Sequence, residues 1–373
     1  MKELKVVLVV VIVLTMFDVM MVKAEAGTAT EDGYAYSTDG KNTSNVLFSG
    51  EDIIKYEVIE KDIKTGNKEY NKMEDYLVGY NTQYTIPGLV NTNVVGHNCN
   101  TMIPQGICRM DNYVLVTAYD YEGKYNSVIY VINTSGQVQA TLVYNKKCHM
   151  GGIAYDGKSV WIAEGGEGKS KNGVGVINKS IILEAIKKLK EKNAKSIRLK
   201  DIKWLQAKEL ESTSFCTYFD NKLWFGTFDK DGTNDIYGYV VNYSGSSPVL
   251  SAWRYIEAPK KAQGITFYKD LTGVYFGVAT SYGRRNNSII RCYKLENYYS
   301  PKVKYNGVLK IVCDEYRRIT MPPMLEQISV HGVFMYGIFE SGAKPYVDGS
   351  DGKNKAARVV TNYCIFAAES IFK

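Results

Sequence analysis

A three-residue phrase recurs five times along the chain, as Gln105-Gly106-Ile107, Gly151-Gly152-Ile153, Ser214-Phe215-Cys216, Gln263-Gly264-Ile265 and Glu326-Gln327-Ile328. A β-rich run follows each copy, starting at Val114, Val160, Leu223, Val274 and Met335; it lies eight residues after the central position in four copies and ten in the Gln263 copy. Such regularity over 46- to 63-residue intervals marks a repeat architecture. A β unit of this size cannot cover its own apolar faces, so the copies must stack around an axis and share a central channel.

From Pro104 onward each repeat offers up to four strands. The first has Gly106 to Met110, Tyr113 to Tyr119, Ser127 to Asn133 and Gln137 to Tyr144. The second carries an amphipathic helix from Ser180 to Asn193, with Ile182, Ala185, Ile186 and Leu189 on one stripe. The third has Leu223 to Phe228, Tyr237 to Asn242 and Leu250 to Ile256, and the fourth has Val274 to Thr280, Ser288 to Leu295 and Val308 to Asp314. In the fifth, Met335 to Phe339 and Arg358 to Phe366 leave one strand missing, and Thr82 to Ile86 is the candidate to fill it. Pairing the chain ends in this way removes the open sheet edges. Only eight prolines and one evident helix fit the same picture. The expectation is an all-β, five-bladed β-propeller with four-stranded blades over residues 76–373, with one helical insertion in blade two and the ring closed by an N-terminal strand.

The start of the chain reads as an export signal over residues 1–26. Lys2 and Lys5 precede the apolar run Val6 to Phe17, and Ala24-Glu25-Ala26 offers a small-x-small cleavage site. The run is short for a membrane span, so secretion or a cell-surface location is expected over anchoring. Residues 27–75 read as a flexible leader with a hairpin around Lys64-Thr65-Gly66-Asn67. Seven cysteines with no CxxC pair suggest small buried hydrophobes more than staples or metal ligands, with one disulfide at Cys99 or Cys148 as the competing possibility. The net charge of +7 is concentrated between Lys187 and Lys203, where eight basic residues form a solvated face or a weak contact for an anionic cell-surface polymer. A basic and aromatic stripe is lacking, so no nucleic-acid partner is expected. A monomer is.

In four-stranded antiparallel blades, the loop leading into strand one and the loop leaving strand two emerge at the same end of the channel. The incoming loops bring Gln105, His149, Gln263 and Glu326; the outgoing loops bring Asp120, Glu164, Asp229, Tyr282, Arg284 and Glu340. Convergent polar groups at a concave mouth form the default binding site. His149 titrates near neutral pH and suits acid or base work. Glu326 and Glu340 share a blade and suit paired-carboxylate chemistry, and the fork of Arg284 suits an anionic group.

Pro104-Gln105-Gly106-Ile107, His149-x-Gly151-Gly152-Ile153-Ala154, Gln263-Gly264-Ile265 with Ser281-Tyr282-Gly283-Arg284, and Pro322-Pro323-Met324-x-Glu326 with Phe339-Glu340-Ser341-Gly342-Ala343 resemble a group of uncharacterised secreted bacterial β-propeller proteins over roughly residues 80–370. The resemblance implies export and fold without a reaction. Gln327 departs from it, standing where a glycine is expected. More distantly, the chain is similar to calcium-dependent lactonases of the gluconolactonase and senescence-marker type, whose oxygen ligands project from several blades. Here Gln105, Gly151, Ser214, Gln263 and Glu326 occupy the corresponding strand starts with one carboxylate among them, so neither a metal nor another cofactor is expected.

Two functional expectations follow. The first is a secreted protein binding an extracellular glycan, peptide or anionic small molecule at the channel mouth, served by the amphipathic surfaces of 30 tyrosines. The second is a hydrolase or lyase acting on an acidic substrate there, with His149 as acid or base, Glu326 or Glu340 as its partner, and Arg284 holding the substrate.

Overall fold

The computed structural model describes residues 53–79, 84–165, 171–245 and 247–373. The export-signal segment 1–26, the leader as far as residue 52, and Thr82, Gln83 and Ser246 lie outside the described residues.

Five antiparallel sheets form a ring, and the innermost strands of neighbouring blades touch in the order one, two, three, four, five, one. Blade one comprises Met102–Met110, Tyr113–Asp120, Val128–Asn133 and Val138–Val143. Blade two comprises Gly152–Tyr155, Ser159–Ala163, Gly173–Asn178 and Lys203–Gln206. Between its last two strands runs the helix Lys179–Glu191, capped by Asn178 and burying Ile182, Ala185, Ile186 and Leu189. Its lysines stay on the surface, where Lys187 and Lys188 pair with Glu191 and Glu184 one turn away.

Blade three comprises Phe215–Phe219, Lys222–Gly226, Asn234–Asn242 and Val249–Ala258. Blade four comprises Ala262–Asp270, Gly273–Thr280, Ser288–Lys294 and Asp314–Met321. Its outer strand corrects the expectation of Val308 to Asp314. The turn residues Asn306 and Gly307, at φ 45° and 81°, fold Val308–Lys310 back onto Val303–Tyr305. That hairpin joins the edge of blade three through a parallel pairing with Arg254 and Tyr255, where Tyr305 stacks on Tyr255 at 4.0 Å. Ile319 and Met321 then bury into blade four. Glu57–Asp62 and Lys68–Lys72 form a hairpin that extends the same blade, with Glu60 opposite Ile319 and paired to Arg317.

Blade five comprises Leu325–His331, Phe334–Phe339 and Cys364–Ala367, closed by Leu77–Gly79 from the other end of the chain. The closure is thus N-terminal, but its strand lies earlier than Thr82 to Ile86. Tyr84 and Ile86 continue it through backbone hydrogen bonds to Tyr363 and Thr361. The third strand begins at Cys364 and not at Arg358, because the preceding residues bond across to Ser341 and to Ile86. All seven cysteines are described and free, which removes the disulfide at Cys99 or Cys148; burial raises the thiol of each one.

The recurring phrase proves to be the place where the inner strands converge. In blades one, four and five the pairing of strands one and two slips there, leaving Gln105-Gly106, Gln263 and Glu326-Gln327 in β-bulges. A bulge re-aims side chains out of the alternating pattern, here toward the channel. A Cβ on Gly152 would stand 2.4 Å from the backbone nitrogen of Cys216, and one on Gly264 would stand 2.7 Å from the Cα of Gln327. Glycine at these points is a matter of close approach.

Candidate ligand-binding site

At the centre of the ring, Gln327 occupies the space that these glycines leave. Its amide nitrogen donates to the carbonyls of Ile153 (2.8 Å) and Cys216 (2.9 Å), and its oxygen accepts from the N–H groups of Ile107 and Ile153 (3.0 Å each). The side chain therefore ties blade five to blades one, two and three and uses its full hydrogen-bonding capacity. Just above this tie lies a cavity of about 450 Å³, lined by Gln105, Tyr119, His149, Gly165, Lys171, Ser212, Ser214, Phe228, Gln263, Glu326, Glu340 and Tyr346.

The structure brings Gln105, His149, Gln263, Glu326 and Glu340 to this one cavity. Four cavity residues, Gln105, Ser214, Gln263 and Glu326, hold the same place in their copies of the phrase, immediately before the central position. Glu326 is almost wholly buried, and Glu340 follows the second strand of the same blade, so the two acids meet and hydrogen bond. Burial and the neighbouring charge of Glu340 push Glu326 well above the usual carboxylate range. Burial raises Glu340 to about 7, against hydrogen bonds from Tyr346 and Gln105, the charge of Arg284 and the hydrogen bond with Glu326, which favour its anion. At neutral pH the pair holds a shared proton.

Gln105 is 1% exposed and donates its amide nitrogen to Glu340 at 3.1 Å and to the Pro104 carbonyl at 3.0 Å. Its Oε1 is buried without any hydrogen-bond partner. Leaving such an acceptor unmade costs roughly 1–3 kcal/mol, so an orphan on a residue that lines a cavity is a place where a donor belongs. Tyr119 stacks on His149 at 4.5 Å, and Tyr346 bonds to both Tyr119 and Glu340. Desolvation by the surrounding protein lowers His149 to about 4, and the exposure of the residue at the mouth limits that drop. Both effects leave a neutral imidazole at pH 7.

The remaining sequence candidates lie elsewhere. Asp120 folds its own loop by accepting from Thr101, Cys99 and the N–H groups of Glu122, Lys124 and Tyr125. Glu164 accepts from Tyr144 and pairs with Lys146 at 2.8 Å. Asp229 is exposed and caps the turn at Asp231 and Gly232. Tyr282 is 45% exposed, with the Lys261 ammonium 5.3 Å from its ring centre. Arg284 is committed to a bidentate pair with Asp351 and to the Asn354 carbonyl, and its guanidinium packs 4.5 Å from the ring centre of Tyr346. It braces the wall of the cavity from behind and presents no free fork to an acidic substrate.

Sequence reasoning passed over Tyr119 and Tyr346. Tyr119 precedes Asp120 on a strand, so the two face opposite ways and the inward member is the tyrosine. Tyr346 comes from the short helix Lys344–Asp348, which corresponds to no position of the repeat.

No family model and no curated protein matches the chain. Among solved structures it is similar to the WD40 β-propeller domain of Doa1, with a TM-score of 0.33 and 8% identity covering 73% of this chain and 95% of that one. It is also similar to an α-L-arabinofuranosidase from Clostridium thermocellum, with a TM-score of 0.32 and 14% identity covering 72% and 89%. Neither similarity bears on the chemistry of the cavity. Fold and site together define a five-bladed β-propeller with a carboxyl-bearing cup at one mouth of its channel.

Proposed function

We propose that this protein is an exported β-propeller whose mouth cavity binds a small polar ligand presenting hydrogen-bond donors, such as one unit of a glycan or the end of a peptide. The observation that carries the reading is the buried Gln105 Oε1, unpartnered and beside the Glu326–Glu340 pair. Neutral His149 offers a further acceptor nitrogen, while Phe228, Tyr119 and Tyr346 supply apolar and aromatic lining. A cavity of about 450 Å³ suits a ligand of one or two rings.

The hydrolytic reading has less support. Glycosidases generally hold their two acids about 5–10 Å apart, on either side of the reacting bond, whereas Glu326 and Glu340 hydrogen bond directly. Arg284, the residue that argued for an acidic substrate, is engaged with Asp351.

Screening the secreted form against a glycan array and a panel of polar metabolites, with Gln105→Leu as the comparison, tests the proposal. Hits that lose roughly ten- to a hundredfold in affinity on this substitution support it, the loss matching one buried hydrogen bond. Hits indifferent to the substitution place the binding site elsewhere.

A further inference from the structure

A buried acid hydrogen-bonded to a half-buried one, as Glu326 is to Glu340, normally has a cation. Buried charges in proteins are paired or bound to metal, because an isolated one is too costly. Among the described residues, no lysine, arginine or histidine forms an ion pair with Glu326 or Glu340. The cationic groups nearby are otherwise placed. Lys171 is exposed at the rim, His149 is neutral, and Arg284 is satisfied by Asp351 behind Tyr346. The pair instead meets its anionic charge with hydrogen bonds from Tyr346 and the Gln105 amide, with the shared proton, and with the charge of Arg284 acting without direct contact.

The remaining lining is mixed, with Lys171 exposed at the rim and Ser212, Ser214 and Gln263 adding hydroxyl and amide groups around the aromatic and acceptor groups. Gln105 Oε1 is an acceptor without a donor, and Tyr119, His149, Phe228 and Tyr346 surround the acids with ring faces and edges. An alcohol would meet these acceptors but would leave the remaining negative charge without a cation in direct contact. A carboxylate or phosphate would add to it. A primary ammonium has three donors and no acceptor, carries the missing charge, and is stabilised by aromatic faces. A divalent ion would need several oxygen ligands in a closed shell, and no group of three or more His, Cys, Asp or Glu side chains is placed to hold a metal among the described residues.

Building on the reading of the mouth as a ligand cavity, we propose that its ligand carries a protonated amine, seated between the Glu326–Glu340 carboxyls and Gln105 Oε1 within the aromatic lining. The class is an amino sugar or a small organic amine, held by charge and not by shape alone.

The test uses matched probes that differ only in the group offered: glucosamine, glucose and glucuronate, together with benzylamine, benzyl alcohol and benzoate. Each is titrated into the wild-type protein, Glu340→Gln and Glu326→Gln, with binding read by saturation-transfer NMR and fold checked by thermal melting. The expected result is that the amine binds at least about tenfold more tightly than the alcohol in at least one set, that the acid does not bind, and that either glutamine variant reduces the preference to near unity. Equal binding of amine and alcohol, still sensitive to the substitutions, overturns the amine while leaving the cavity reading intact. Displacement of the amine by micromolar Ca²⁺ overturns it in favour of a metal. Binding that ignores both substitutions, or no binding by any probe, overturns the amine and the cavity reading together.

Discussion

Gln327 and Ile153 face each other across the channel and exchange two hydrogen bonds, amide nitrogen to carbonyl at 2.8 Å and backbone N–H to amide oxygen at 3.0 Å. A side chain from blade five thus pairs with a strand of blade two as another strand would, closing the floor of the cup. Gln327→Ala would leave the N–H groups of Ile107 and Ile153 and the carbonyls of Ile153 and Cys216 without this partner. A destabilisation of roughly 2–5 kcal/mol is expected, at the upper end of single substitutions. Chemical denaturation measures it; a loss under about 0.5 kcal/mol would mean that water replaces the amide without cost.

Ring closure rests on a short stretch of chain. Leu77–Gly79 pairs with Cys364–Ala367, and Tyr84 and Ile86 bond to Tyr363 and Thr361. A chain starting at residue 53 retains all of these contacts, whereas one starting at residue 91 loses them and also the buried Leu89. The first should melt cooperatively and the second should not. Similar calorimetric transitions for the two would show that blade five stands without its borrowed strand.

Arg284→Ala should lower the melting temperature, because it leaves the buried Asp351 carboxylate with only the Tyr121 hydroxyl among its side-chain partners. Breaking such a pair from one side costs about 3 kcal/mol or more when it is well buried. Tyr346 loses its packing partner at the same time, so weaker ligand binding should accompany the loss of stability. Unchanged melting with weakened binding would instead return Arg284 to the role of a direct ligand contact.

The carboxyl pair gives a signed pH dependence. Glu340 rises from 4.5 to about 7 on folding, and burial pushes Glu326 well above the same starting value. A raised carboxyl favours the protonated folded form, so its stabilising effect is complete below the unfolded value and disappears as pH rises through the folded one. His149, lowered to about 4, has the opposite trend below its unfolded value of 6.5. Comparison with Glu326→Gln cancels the histidine. The melting temperature of the wild type relative to this variant should fall between about pH 5 and about pH 8. A constant difference would mean that the two acids hold no shared proton.

The phrase Gln-Gly-Ile and its copies make the blade number and the mouth legible, because convergence on an axis places glycine at one register in blades one, two and four, with Phe215 and Gln327 filling the space in the other two. The same register located Gln105, Gln263 and Glu326. What it concealed was parity. Asp120 and Glu164 stand at the ends of second strands, yet Asp120 turns into its own loop and Glu164 toward Tyr144 and Lys146 of blade one, while Tyr119 faces the cavity. The partner of Arg284 was hidden for a different reason, since Asp351 lies in a non-repeating insertion 67 residues downstream. Gln327 was visible only as a departure from glycine; its meaning needed the bulge that turns it inward.

The most direct measurement is a crystal structure of the protein soaked with small polar fragments, amines, alcohols and acids together. Density should appear in the cavity formed by Gln105, Glu326 and Glu340, with a ligand donor within hydrogen-bonding distance of Gln105 Oε1 and the ligand resting above Gln327. Fragments gathered instead in the separate cavity lined by Arg109, Tyr336 and Tyr363, with only water against the two acids, would contradict the assignment of the mouth as the binding site.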